Sequence, residues 1–312
     1  MPSNLSNITV EGFPGPAISL GVFLILKLMF NGCLLFVFLN NRRLRTPFTV
    51  YLINLLLSNI FITLADPFFM LESWQVRWYF TSILCIIKMY LDHIGSAVTL
   101  HAHLLITLNR MWALTFPLHY RSHHSTKTAV LICATMWTYC HVLLSPLLLQ
   151  DFLYYRPDMQ TATECEVVSS AQPILRRFLK IWINTAPMLV NVSAYPYLLW
   201  KTKDRTVPSP LPRGRGHFAE IWKEKAASGE NRHAFWILTG LTGSIVICWS
   251  PAKFLNILRI FRDVTVPESV RIVLDDVLYS LQLIVDPILF TLSLQRLRAT
   301  VKFTLHRLCS CQ

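Results

Sequence analysis

Seven apolar runs recur along the chain, separated by polar and mostly basic segments. They are Ala17–Leu39, Val50–Leu71, Ile83–Leu108, Ala129–Leu149, Phe178–Leu199, Phe235–Leu258 and Ile272–Leu294. A helix rises about 1.5 Å per residue, so about 20 apolar residues cross the roughly 30 Å of hydrocarbon in a bilayer. Seven repeats of that length predict an all-α bundle of seven transmembrane helices. Hydrophobic residues make up 53% of the 312 and charged residues only 15%. That balance excludes a disordered chain and argues against a water-soluble enzyme core.

In a soluble protein the formal charge of +12 would suggest nucleic acid, but here its position matters more. Arg42, Arg43 and Arg45 follow the first run, and Arg121 and Lys127 follow the third. Lys201, Lys203, Arg205, Arg213, Arg215, Lys223, Lys225 and Arg232 lie between the fifth and sixth, and Arg296, Arg298, Lys302 and Arg307 follow the seventh. These alternate segments share one side, and positive charge marks the cytoplasm. Arg176, Arg177, Arg259, Arg262 and Arg271 fall on the other side, so the bias is a majority. It predicts a plasma-membrane, multi-pass protein with an extracellular tail (1–16), a membrane domain (17–294) and a cytoplasmic segment (295–312). The first run is too long for a cleavable signal and is followed by the stop-transfer pattern Asn40-Asn41-Arg42-Arg43.

Loop 201–232 carries Pro208, Pro210 and Pro212 and reads as an extended linker into a helical extension of the sixth span. Leu297, Val301, Leu305 and Leu308 recur at helical spacing among Arg298, Lys302 and Arg307, as expected of a short helix on the inner leaflet. Asn4 and Asn7 begin glycosylation triplets in the outer tail. Asn191 begins another, inside the fifth run, where it should stay unmodified. Cys85 and Cys165 both face the oxidising side, which predicts a disulfide. Cys309 and Cys311 are candidates for palmitoylation, and Cys33, Cys133, Cys140 and Cys248 for apolar packing.

Polar and proline residues recur at fixed depths in the runs. They are Asn31-Gly32, Asn54-Leu55-Leu56-Leu57-Ser58-Asn59, Trp78-Tyr79-Phe80 ahead of Cys85, and Leu108-Asn109-Arg110-Met111 with Pro117-Leu118-His119-Tyr120 after it. Trp137 and Pro146, Pro187 and Tyr195, Cys248-Trp249-Ser250-Pro251, and Asp286-Pro287-Ile288-Leu289-Phe290 complete the set. On these motifs, one group per run and in order, the chain resembles the rhodopsin-like (class A) G-protein-coupled receptors over nearly its whole length. Pro187, Pro251 and Pro287 each remove a backbone donor and weaken their helices locally, and the resemblance implies that Pro251 is the pivot of the sixth and Trp249 the sensor beside the ligand. It implies that Arg110 meets the α subunit of a heterotrimeric G protein, with Tyr195 holding it in the open state.

Four departures from that pattern bear on signalling. Asn109 replaces the acid usual beside Arg110, which removes an inactive-state ion pair and predicts raised basal activity. Asn59 and Asp286 exchange the usual aspartate and asparagine, which leaves one carboxylate with Asn31 and Asn59 as the candidate site of an allosteric Na⁺ ion. Phe290 replaces a tyrosine, and His103 stands where an apolar residue is usual.

Asp92 lies eighteen residues before Arg110 and matches the aspartate with which amine receptors bind a ligand ammonium. Lys88, one turn away, could neutralise it internally. Ser96, Lys180, Trp249, Lys253 and Asn256 are the remaining ligand candidates, and the lysines, with Arg259, would suit an acidic ligand; a peptide ligand or none stays open too. No enzyme, resident cofactor or metal is expected: the glycines are scattered, and His101 and His103 are two apart and face different ways. Two other classes remain: a transporter or channel with Lys27, Lys88, Asp92, His103 and Asp286 along its path, and a receptor-fold protein without its own agonist.

Overall fold

The computed structural model describes residues 15–75, 78, 80–155, 165, 167, 172–206, 240–241, 243–255, 258, 267, 270, 272–293 and 297–301. Among them the regular structure is helical throughout. Lipid offers the backbone no hydrogen bonds, and a helix satisfies every N–H and C=O within its own segment. The first span is α1 (Gly15–Asn40). The second is α2 (Pro47–Thr63) followed by α3 (Asp66–Gln75), and the third is α4 (Ser82–Thr115). After α5 (Pro117–His123) comes the fourth span, α6 (Thr126–Gln150). The fifth comprises α7 (Pro173–Leu179), a π-turn at Lys180–Thr185 and α8 (Ala186–Thr206). The sixth is described over α9 (Gly243–Leu255). A π-helical segment, Ile272–Leu278, opens the seventh, which continues as α10 (Tyr279–Ser293).

Local sequence sets where these helices start and stop. Pro47 opens α2 behind a capping box, in which Thr46 and Thr49 each accept the other's backbone N–H. The hydroxyls of Thr81 and Ser125 cap α4 and α6 through the N–H groups of Leu84 and Thr128. One expectation needs correction: the run Val50–Leu71 is two helices and not one. Pro67 lacks an N–H and its ring crowds the carbonyl a turn earlier, so the chain breaks at Leu64–Ala65 and restarts at Asp66. The third span is also longer than its apolar run. Its 34 residues reach about 50 Å and carry Arg110 to the inner end of the bundle.

The bundle is apolar outside and polar within. On α1, Ile18, Val22, Ile25, Met29, Phe36 and Leu39 are exposed, whereas Lys27 and Asn31 are buried beside Leu34 and Phe38. Asn191 is fully buried in α8. The main core runs through α1, α2, α4 and α6, and a smaller one joins Leu100, Met188, Ile245, Cys248 and Trp249. Residues 297–301 are helical, as the amphipathic segment requires, and Leu297 is buried. Asn4, Asn7, Asn256, Arg259, Cys309, Cys311 and nearly all of loop 201–232 lie outside the described residues.

Gly95 fixes the crossing of α2 and α4. A Cβ there would stand 2.7 Å from Ile62 Cβ and 2.9 Å from its Cα, inside van der Waals contact. Gly95→Ala should therefore cost about 1–3 kcal/mol and lower the melting temperature of the purified protein. Gly32→Ala, with nothing within 4 Å of its added Cβ, should leave it unchanged.

Candidate functional site

Three polar constellations line the bundle from its outer to its inner end. In the outer one, the Lys88 ammonium does not reach Asp92. It pairs with Glu72 of α3, donates to the Cys165 carbonyl at 3.3 Å, and lies 4.4 Å from the centre of the Phe69 ring. Glu72 also accepts the Cys165 N–H at 3.1 Å. One ion pair thus holds both backbone polar groups of Cys165, and Cys165 is disulfide-bonded to Cys85 as expected. The internal Lys88–Asp92 pair is corrected accordingly. A carboxylate on the neighbouring helix outcompetes one a turn away, because it satisfies the ammonium and the loop backbone together. Asp92 is left 40% exposed, with His93 at 3.6 Å.

Of the other ligand candidates, Ser96 donates to the His93 carbonyl at 3.2 Å, and Lys180 opens the π-turn of the fifth span. Trp249 is buried, stacked on Tyr279 at 4.9 Å, with the Lys253 ammonium 5.4 Å from its ring centre. Pro251 lies within α9, three residues beyond the smaller core's Cys248.

Midway through the bundle Asp286 is fully buried. Its Oδ1 accepts Gln282 Nε2 at 2.6 Å, and its Oδ2 accepts Asn59 Nδ2 at 3.3 Å and faces His103 Nε2 at 3.1 Å. Asn59 also donates to Asn31 Oδ1, and Asn31 donates to the carbonyls of Lys27 and Leu283. Gln282 donates in addition to Ser244 Oγ at 3.1 Å. The reciprocal exchange of Asn59 and Asp286 therefore brings the two side chains into contact. Pro287 follows within α10, and Phe290 is buried one turn on. His101, two residues from His103, points instead to Tyr139 on α6. One turn outward from Asn31, Lys27 and Asp66 form a buried ion pair at 2.8 Å. Glu72, Asp66, Gln282 and Ser244 were missed from sequence. The signal for Asp66 was Lys27 itself, since a charge inside one span implies an opposite charge inside another.

At the inner end the Arg110 guanidinium lies over the Phe48 ring, 3.6 Å from its centre. Among the described residues no carboxylate pairs with it. The Tyr195 side chain is outside the described set. Asn109 donates to His124 Nε2 at 3.1 Å and accepts from the Tyr120 hydroxyl at 3.3 Å. Tyr120 and His124 stack at 4.3 Å against the edge of Trp112, whose indole N–H donates to His119. Where the family pattern has an acid, this chain has a neutral set of contacts from the third span to the loop after it. Burial pushes the Tyr120 hydroxyl up, against the Asn109 hydrogen bond and Arg110, and pushes His124 down.

A model of the "7 transmembrane receptor (rhodopsin family)" matches residues 30–290. The chain belongs to that family, the class A G-protein-coupled receptors. Over 176 residues it is 28% identical to the alpha-2B adrenergic receptor of Rattus norvegicus, spanning 55% of this chain and 38% of that protein. It is 25% identical over 207 residues to the alpha-2C adrenergic receptor of Didelphis virginiana, 66% of this chain and 43% of the relative. Trace amine-associated receptor 4 of Rattus norvegicus is 22% identical over 235 residues, 73% and 67% of the two chains. The chain thus spans about two fifths of the length of the adrenergic relatives it matches. Family membership displaces the transporter and channel reading.

Glu72→Gln would strand a buried ammonium and should cost about 3–5 kcal/mol. Lys88→Met combined with Glu72→Leu should recover most of that loss, as measured by thermal unfolding of the purified receptor. For His124 the sign follows from its lowered pKa: the folded state favours the neutral ring. Its contribution is fully present above the ordinary value of 6.5 and is lost as pH falls through the lowered one. From about pH 7 to pH 5 the wild type should lose more thermal stability than His124→Gln.

Proposed function

We propose that this receptor binds an extracellular cationic amine through Asp92 and activates heterotrimeric G proteins through the inner face that holds Arg110. One observation carries the amine reading. Lys88 is committed to Glu72 and Cys165, so among the described residues the part-exposed Asp92 carboxylate has His93 at 3.6 Å and no lysine in an ion pair with it. A carboxylate at that depth calls for a cation, and a ligand ammonium supplies one. The names of the adrenergic and trace amine relatives support the same class. Trp249 and Tyr279, stacked below, offer aromatic faces to the rest of a small ligand.

Coupling rests on the inner constellation. The latch made by Asn109, Tyr120 and His124 is uncharged, and Arg110 is held by an aromatic face, so little electrostatic work opposes the outward swing of the sixth span at Pro251. Raised agonist-free signalling follows. The amino-terminal tail is extracellular in this reading, with Asn4 and Asn7 glycosylated there and Cys309 and Cys311 palmitoylated on the inner side.

Removing one partner of a desolvated charge pair costs about 2–5 kcal/mol, so Asp92→Asn should weaken cationic amine agonists at least about 30-fold at unchanged surface expression. Concentration–response curves in cells reporting several G-protein pathways, with Arg110→Ala as the uncoupled control, test this. An agonist indifferent to Asp92→Asn would defeat the amine reading. In the same cells Asn109→Asp should lower the agonist-free signal, and a silent wild type that Asn109→Asp leaves unaltered would defeat the basal one.

A further inference from the structure

The family resemblance places a sodium ion beside the intramembrane carboxylate, with Asn31, Asn59 and Asp286 as its ligands here. The residues present do not fit that ion. A hard cation takes oxygen atoms, whereas Asp286 is surrounded by nitrogen. Gln282 Nε2 lies 2.6 Å from Oδ1, and Asn59 Nδ2 and His103 Nε2 lie 3.3 and 3.1 Å from Oδ2.

The amide orientations are forced, each by its neighbour. Backbone carbonyls can only accept, so Asn31 must turn Nδ2 to the carbonyls of Lys27 and Leu283 and Oδ1 to Asn59. Asn59 must therefore present Nδ2, and the same atom faces Asp286. On the other side Ser244 donates its proton to the Leu241 carbonyl, so its oxygen accepts Gln282 Nε2, which likewise faces Asp286. Asn59 Oδ1 and Gln282 Oε1 have no partner among the described residues, but each diverges from the nitrogen aimed at the carboxylate. The His103 imidazole, buried and edge-on to Trp249, fills the remaining approach from α4. One turn outward on α4, Thr99 is buried and its hydroxyl has no partner among the described residues, an oxygen that a cation could use if the imidazole were gone.

We propose that this receptor has exchanged the sodium ion for a side chain: His103 stands in the cation's place, the site is closed to Na⁺, and shortening His103 opens it. Ion binding raises thermal stability by mass action, so the test needs no agonist and is independent of the amine reading. The full-length receptor, purified in detergent, is melted in NaCl, KCl and choline chloride at equal ionic strength. The wild type should melt within about 1 °C in all three. His103→Ala should gain a saturable, sodium-specific rise of about 3 °C or more, abolished by adding Asp286→Asn. A saturable sodium-specific rise in the wild type, lost in Asp286→Asn, would overturn the closed site. A folded His103→Ala receptor indifferent to sodium would overturn the role given to His103. Should His103→Ala fail to fold, the wild-type and Asp286→Asn pair still decides whether the site is closed, and His103→Ser repeats the opening arm.

Discussion

Asp286 is fully buried in the middle of the bundle, and the arrangement around it follows from that. A carboxylate buried in lipid must be met by donors from the protein, and an unmet one costs several kcal/mol. Asn59 on the second span and Gln282 on the seventh donate to it, Gln282 also reaching Ser244 of the sixth, and the His103 ring on the third sets its Nε2 3.1 Å from the carboxylate. Asn31 ties in the first span through the Leu283 carbonyl. Hydrogen bonds thereby tie four spans in one register and the His103 ring adds the third by contact, in a solvent where apolar contact between helices gives little preference for any one packing over lipid.

Much of this was legible in the residues. Seven apolar lengths announce seven helices, and the exchange of Asn59 and Asp286 announces their contact, because two departures that cancel imply one shared site. Lys88 was harder. Its spacing from Asp92 suggests a pair along one helix, but such pairs contribute only about 0.2–0.5 kcal/mol. Glu72, on another helix, wins by engaging Lys88 and the Cys165 backbone together. The break at Leu64–Ala65 was hidden in its run because hydropathy measures solvent preference and not backbone register, although Pro67 marked the place. Gln282 and Ser244 gave no warning, since single uncharged polar residues are ordinary in membrane helices.

The inner end shows how a charged device can be rebuilt without charge. With Asn109 in place of an acid, the third span is fastened to the following loop by an amide, a phenol and an imidazole, all neutral when His124 is unprotonated. Arg110 keeps its cation but rests on the Phe48 ring. Hydrogen bonds between neutral groups are weaker and less reaching than an ion pair, so this arrangement depends on contact more than on field.

The length of α4 gives this layout a mechanical meaning. A helix turns about 100° per residue, so Asp92, His103 and Arg110, eleven and then seven positions apart, fall within about 20° of one another along a single stripe of that rod. Some 27 Å separates the first from the last. The third span is thus a torsion shaft with three teeth in line. A few degrees of twist at the outer tooth would turn the middle one against Asp286 and lift the inner one off Phe48 in the same stroke.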